Sequence, residues 1–91
     1  MSAAVRHEPT SHRFVIECDG EQSVLDYRLE GDVMTITHTG VPSALSGRGL
    51  AGDMTRTAFE TARSKGWRVV PACSYAAGWI EKHAEFKDLL V

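Results

Sequence analysis

Two short segments hold the residues whose types and spacing could support chemistry. The first is Thr39–Ala51, TGVPSALSGRGLA, in which Gly47-Arg48-Gly49 ends a β-like run and opens a helix-like one. Such a junction presents unpaired backbone N–H groups and the positive end of a helix dipole, and both attract a phosphate. The second is Val69–Tyr75, VVPACSY, where Cys73 follows an apolar strand and a proline. Together the segments indicate a small domain that holds a phosphorylated cofactor beside a thiol.

The composition is typical of one globular domain. The 91 residues are 43% hydrophobic and 24% charged, with a net charge of −2, so no basic excess points to nucleic acid. No apolar stretch approaches the roughly 20 residues that cross a bilayer, and the polar start MSAAVRHEPTSHR does not resemble a signal peptide. We therefore expect a cytoplasmic monomer or weak dimer with reduced cysteines and with no nucleic-acid or membrane partner.

Alternating patterns predict the strands that lead to the first segment. Residues 1–12 are polar and include Pro9, so we expect a flexible N-terminal arm before a single domain over residues 13–91. Three runs alternate or are β-branched, and short turns join them, which predicts an antiparallel meander. These strands are Arg13–Cys18, Val24–Glu30 and Val33–Thr39.

The period then changes to that of helices. Ser46 is the expected N-cap of a first helix that ends at Gly66, and Ser74 is the expected N-cap of a second helix over Ser74–His83. A short strand, Trp67–Ala72, lies between them, and Phe86 with Leu89–Val91 should dock on the core. The predicted fold is α/β (α+β) with a compact mixed sheet and the order β-β-β-α-β-α. The apolar face of the first helix contains Leu50, Ala51, Met54, Ala58, Phe59 and Ala62.

Gly47–Gly52 has three possible interpretations: a dinucleotide-binding loop, a nucleotide-phosphate loop, or a plain tight turn. The pattern matches G-x-G-x-x-G, but a dinucleotide site needs a βαβ unit and an acidic residue about 20 positions later. Here antiparallel strands come first and no acid stands at the later strand end, and the Gly-Lys-Ser/Thr of a phosphate loop is also absent. A plain tight turn remains open, because glycine adopts such turns readily. Val41-Pro42, Ser46 and Arg48 favour a ligand.

The ordered motifs resemble those of the GNAT superfamily of acetyl-CoA-dependent N-acetyltransferases, in particular its minimal single-domain YjdJ-type members. Ala44–Gly49 matches the superfamily loop Q/R-x-x-G-x-G/A except at Ala44. Ala84 and Phe86 stand where the minimal members often have Pro and Tyr. The remaining matches are His38-Thr39 with Val41-Pro42, Leu45-x-Gly47-x-Gly49-Leu50-Ala51, Ala62-Arg63 with Gly66, Pro71-x-Cys73-x-Tyr75, and His83-x-Glu85-Phe86-x-Asp88-Leu89.

The resemblance implies acetyl-CoA as co-substrate and an amine acceptor. We expect no metal, because His7, His12 and Cys18 have no recognised ligand spacing. The strand before the glycine loop and the strand before Cys73 would splay apart, with acetyl-CoA between them. Backbone N–H groups of this loop would hold the pyrophosphate, and a strand N–H would donate to the thioester carbonyl. The implied cofactor-binding residues are Val41, Ser46, Gly47, Arg48, Gly49, Leu50 and Ala51, with Tyr75 and Trp79 as a wall of the cleft.

Cys73 and His38 are the candidate catalytic residues. Cys73 could accept the acetyl group or exchange protons, and the alternative is a small buried side chain. His38 could act as general base or thiol activator, and the alternative is a strand-end histidine bonded to a carbonyl. Cys18 is expected in the core. A non-catalytic CoA or acyl-CoA-binding module, or an interaction domain on the same fold, would need neither catalytic side chain.

Overall fold

The computed structural model describes residues 4–91 as one mixed sheet covered by helices. The strands are β1 (Arg6–Glu8), β2 (Arg13–Cys18), β3 (Glu21–Glu30), β4 (Val33–Gly40) and β5 (Arg68–Pro71), in that order across the sheet. β1 to β4 are antiparallel, and β5 runs parallel to β4. The helices are α1 (Leu50–Lys65) and α2 (Ser74–Glu81), with 3-10 turns at Pro9–Ser11, Ser43–Leu45 and Ala84–Leu89. The predicted mixed α/β fold and the three-strand meander are confirmed.

One face of the sheet and one face of α1 form the core. Leu25 and Tyr27 alternate with polar neighbours and are buried as predicted, and of the predicted apolar positions on α1 only Ala51 is not fully buried. α1 ends at Gly66 in the left-handed region with φ of 74°, where the Gly66 amide donates to the carbonyl of Arg63. This C-terminal cap is the one expected from the sequence.

The flexible arm predicted for residues 1–12 is wrong from residue 6 onward, while residues 1–3 lie outside the described residues. β1 pairs with β2, and His7 lies opposite Phe14. The two rings stack with centroids 4.2 Å apart, and His7 Nε2 lies 2.7 Å from the hydroxyl of Tyr27. These contacts reach across the sheet, so a local polar composition does not reveal them.

Acidification is expected to remove the stabilisation provided by His7. Burial, with smaller contributions from Lys65 and His12, lowers the pKa of the His7 imidazole. The unfolded chain therefore binds more protons as pH falls below about 6.5, and the free energy of unfolding falls with it. His7→Phe keeps a ring on Phe14 but cannot titrate, so urea unfolding between pH 8 and 5.5 should show a flatter dependence in the variant. Equal slopes in both proteins would contradict this assignment.

β4 and β5 separate halfway along β4. Their pairing ends at Ile36 opposite Pro71, while β4 continues to Gly40. The amides of Ala72 and Cys73 both donate to the carbonyl of Ile36 at 3.0 Å, which closes the ladder. Within residues 4–91, the edge of β4 beyond Ile36 that faces away from β3 has no strand partner.

A β-bulge lies at the point of separation. Tyr27 pairs with Ile36 and Asp26 pairs with His38, so Thr37 is an extra residue in β4. The Thr37 hydroxyl donates to the carbonyl of Asp26 at 3.3 Å. A bulge bends its strand and increases the local twist, so this residue accounts for the splayed strands.

The C-terminal segment packs on the core through two side chains. Phe86 and Leu89 are buried as predicted, but Val91 exposes 79% of its surface, so the predicted docking is wrong for this last residue. Its amide donates to the carbonyl of Val69, which holds the backbone but not the side chain. No helix in the described part of the chain is long and apolar enough to cross a membrane.

Candidate active site

The loop after β4 ends in two glycines with left-handed backbone. Gly47 has φ of 82° and Gly49 has φ of 77°, a region that glycine enters at little cost. Gly49 is the N-cap of α1, and it supplies no side chain to cap the helix. The prediction that Ser46 caps α1 is wrong, because its hydroxyl and its amide both donate to the carbonyl of Ser43 within the 3-10 turn.

The first turn of α1 presents free backbone donors. The first bond of the helical pattern runs from the amide of Asp53 to the carbonyl of Gly49 at 3.0 Å. Within residues 4–91, the amides of residues 47–52 donate no hydrogen bond to another protein group. Unpaired amides and the positive helix end together favour an anion.

These amides border a cavity of about 250 Å³. The cavity gathers most of the predicted cofactor-binding residues and adds Leu45 and Gly52, which the sequence analysis did not assign to the site. Arg48 and Trp79 are absent from its lining. The lining residues are Val41, Leu45, Ser46, Gly47, Gly49, Leu50, Ala51, Gly52 and Tyr75.

Arg48 contacts the turn between β2 and β3. Its guanidinium donates to Asp19 Oδ2 at 3.0 Å and to Cys18 Sγ at 3.3 Å. The charged groups of Arg48 and Asp19 are both half-exposed or more. The arginine is therefore paired with an acid beside the loop.

Gly52 allows α1 and α2 to approach each other closely. A Cβ atom at Gly52 would lie 3.3 Å from the hydroxyl of Tyr75 and 3.7 Å from Nε1 of Trp79. Burial, and to a smaller extent the carboxylate of Asp53, raise the pKa of Tyr75. The phenol therefore stays protonated at neutral pH and offers a donor at the cavity wall. A glycine inside a helical pattern was the available signal for this close approach.

Cys73 is the N-cap of α2, where Ser74 was predicted. Its Sγ accepts the amide N–H of Ala76 at 3.4 Å, and Ser74 is the first helical residue. Thr39 Oγ1 also lies 3.4 Å from this sulfur, across the gap between the splayed strands. The sulfur of Cys73 therefore accepts a helix N–H and lies within hydrogen-bonding distance of a hydroxyl on the facing strand.

The predicted pairing of His38 with Cys73 is not formed. Successive side chains on a strand point to opposite faces, and Thr39, the neighbour of His38, is the residue that reaches Cys73. The exposed imidazole of His38 instead lies over Gly40, where a Cβ atom would come within 3.0 Å of Nε2. Thr39 is thus a site residue that sequence reasoning missed, although it stands in the His38-Thr39 motif.

Among the described residues, no group of three or more His, Cys, Asp and Glu side chains is close enough to hold a metal ion. The site consists of backbone donors, Tyr75 at the cavity wall, and the Thr39–Cys73 contact. It can bind an extended anionic ligand along the loop and place that ligand's end beside a thiol.

Comparison with known proteins agrees with this geometry. Residues 13–89 match the family model described as GCN5-related N-acetyl-transferase. The solution NMR structure of a GCN5-like N-acetyltransferase candidate from Staphylococcus aureus superposes with a TM-score of 0.77 and 24% sequence identity. The alignment covers 98% of this chain and 88% of that one, and it shows a shared fold. The YjdJ-type subgroup stays a prediction.

Proposed function

We propose that this protein transfers an acetyl group from acetyl-CoA to an amine. The chain belongs to the GCN5-related N-acetyl-transferase family and is therefore an acetyltransferase. The observation that supports acetyl-CoA most directly is the uncapped start of α1, with left-handed glycines at Gly47 and Gly49, beside the gap between β4 and β5. A diphosphate fits free amides of this kind.

The glycine loop and the free edge of β4 would each bind a different part of acetyl-CoA. The amides of residues 47–51 would hold the pyrophosphate. Ser46 lines the cavity but offers no free amide, because its N–H already donates to the carbonyl of Ser43. The pantetheine arm would lie along the unpaired edge of β4 near Val41, as an added strand would. This path leads the thioester toward Thr39 and Cys73, the two residues in contact across the gap.

In the transfer, the amine nitrogen bonds to the thioester carbonyl carbon, the C–S bond breaks, and CoA leaves as a thiolate. A free N–H on the edge of β4 would stabilise the negative charge on the carbonyl oxygen, a contribution that is typically large. The amine loses one proton and the CoA thiolate gains one. Cys73 would give its proton to that thiolate and regain one from the amine, since its thiol lies beside Thr39 at the end of the path proposed for the thioester.

Calorimetric titration and a turnover assay together test this proposal. The protein should bind CoA and acetyl-CoA, and release of free CoA thiol should accelerate when a responsive amine is added from a panel of small amines and peptides. Binding without turnover across the panel would support the non-catalytic CoA-binding module. Failure to bind either ligand would refute the proposal.

Arg48→Ala is expected to weaken acetyl-CoA binding by only about two- to fivefold at low salt, because an exposed charge contributes little. The loss should shrink at high salt. Asp19→Asn, the matched control, releases the arginine from its pair and should leave the affinity equal or higher. A loss that does not change with salt would assign the effect to packing of the aliphatic stem.

A further inference from the structure

The gap between β4 and β5 is closed at its inner end by backbone hydrogen bonds. The carbonyl of Ile36 accepts the amides of both Ala72 and Cys73 at 3.0 Å, and beyond this carbonyl the two strands are paired. A ligand that enters along the free edge of β4, from Val41 toward Thr39, therefore reaches bonded backbone after a short distance. The side chains in front of this closed end decide how far an acyl group can extend.

Two side chains meet across the gap in front of the closed end. Thr39 Oγ1 lies 3.4 Å from Cys73 Sγ, and both residues are partly buried. Non-bonded atoms pack at about 3.5–4.0 Å, so the oxygen and the sulfur would have to stand about 7 Å apart to admit a methylene group between them. The glycine-loop cavity is lined by Val41 and Tyr75 but by neither member of this contact. The contact is therefore a barrier at the inner end of the ligand path.

Both sides of the barrier are held in place. Cys73 is the N-cap of α2, where its sulfur accepts the amide N–H of Ala76, and its own amide is bonded to Ile36. Thr39 is paired with the fully buried Leu25 of β3, and a side chain that branches at Cβ has few alternative rotamers. A longer acyl chain would therefore have to displace backbone and not only side chains.

The open face of the sheet gives a longer acyl chain no productive alternative. α1 and α2 pack on the same face of the sheet through a common core, and His38 and Ala72 are exposed beside the gap. The acceptor amine would approach from this open face, because the glycine loop and α2 occupy the other side. An acyl chain that turned outward would then stand in the path of the amine.

We propose that the Thr39–Cys73 contact limits the acyl group of the co-substrate to two carbons, so that Thr39 determines the preference for acetyl-CoA over propionyl-CoA and longer thioesters. This inference rests on the proposed function. With the thioester carbonyl against the free edge of β4, the methyl group of acetyl fills the space up to the contact. One more methylene group overlaps with the barrier, and a closed pocket discriminates by about 10- to 200-fold for such a group.

Calorimetric titration with CoA, acetyl-CoA and propionyl-CoA tests the barrier without any acceptor. The unchanged protein should bind CoA and acetyl-CoA about equally and propionyl-CoA about tenfold more weakly. Thr39→Ala removes the hydroxyl and the methyl group, so it should bring propionyl-CoA within about twofold of acetyl-CoA. Thr39→Val removes the hydroxyl but keeps the shape, and it should retain the preference, which separates a steric barrier from a hydrogen bond.

Thr35→Ala is the matched control. Thr35 lies on the same strand but within the closed ladder, opposite Val70, so its variant should keep the preference for acetyl-CoA. Equal affinity of the unchanged protein for acetyl-CoA and propionyl-CoA would overturn the proposal, and so would a preference that survives in a folded Thr39→Ala protein. Failure to bind CoA and acetyl-CoA would instead refute the proposed function.

Discussion

Gly49→Val should weaken acetyl-CoA binding by about 10- to 100-fold. Valine at φ of 77° is strained by about 1–3 kcal/mol, and relief of that strain would turn the loop amides away from the pyrophosphate. Each hydrogen bond to a charged group contributes about 1.5–3 kcal/mol, and about 1.4 kcal/mol is a tenfold change in affinity. Titration calorimetry of the folded variant measures the loss.

Gly31→Val is the matched control for this loop variant. Gly31 also has positive φ, at 60°, and a Cβ atom there would likewise meet nothing within 4 Å. It lies in the turn before β4, at the opposite end of that strand from the glycine loop. Both variants should lose a similar amount of stability in urea unfolding, but only Gly49→Val should lose affinity. Retained affinity in a folded Gly49→Val protein would contradict the assignment of the phosphate site.

Cys73→Ser should slow acetyl transfer by about 100-fold, within the range typical of lost acid–base catalysis, and leave acetyl-CoA affinity unchanged. Serine is a good N-cap, so it can still accept the amide N–H of Ala76 and keep α2 in place. Cys73→Ala would remove the cap as well, at a cost of about 0.5–2 kcal/mol. The pair of variants therefore separates the chemistry of the thiol from its role in capping.

Incubation with acetyl-CoA alone distinguishes two roles for the thiol. We expect no hydroxylamine-labile acetyl thioester on Cys73, as direct transfer to the amine requires. Thr39→Val removes the hydroxyl 3.4 Å from Sγ and keeps the side-chain shape, so it should reduce turnover less than Cys73→Ser does and change its pH profile. A stable thioester would assign covalent catalysis, and unchanged turnover in Cys73→Ser would leave the thiol with a structural role only.

The sequence predicted the elements that depend on local patterns. Alternation placed Leu25 and Tyr27 in the core, and a glycine after a basic helix end marked the C-terminus of α1 at Gly66. The glycine loop and its apolar neighbours also came together in one cavity, because a strand-to-helix turn keeps them close in space whatever the tertiary contacts.

The features that the sequence did not reveal depend on contacts between distant segments. β1 is stabilised through the stacking of His7 on Phe14, which no local pattern encodes. The bulge at Thr37 is a change of register between two strands that both alternate correctly. It leaves Thr39, rather than His38, facing Cys73.

Amide chemical-shift mapping with acetyl-CoA tests the central claim most directly. On titration of the ¹⁵N-labelled protein, the largest shifts should fall on the amides of residues 47–52, on the free edge of β4 from Thr39 to Val41, and on Cys73. The turn at Gly31 and β1 should remain unshifted. Saturable binding with its largest shifts outside the loop and the β4 edge would contradict the proposed site.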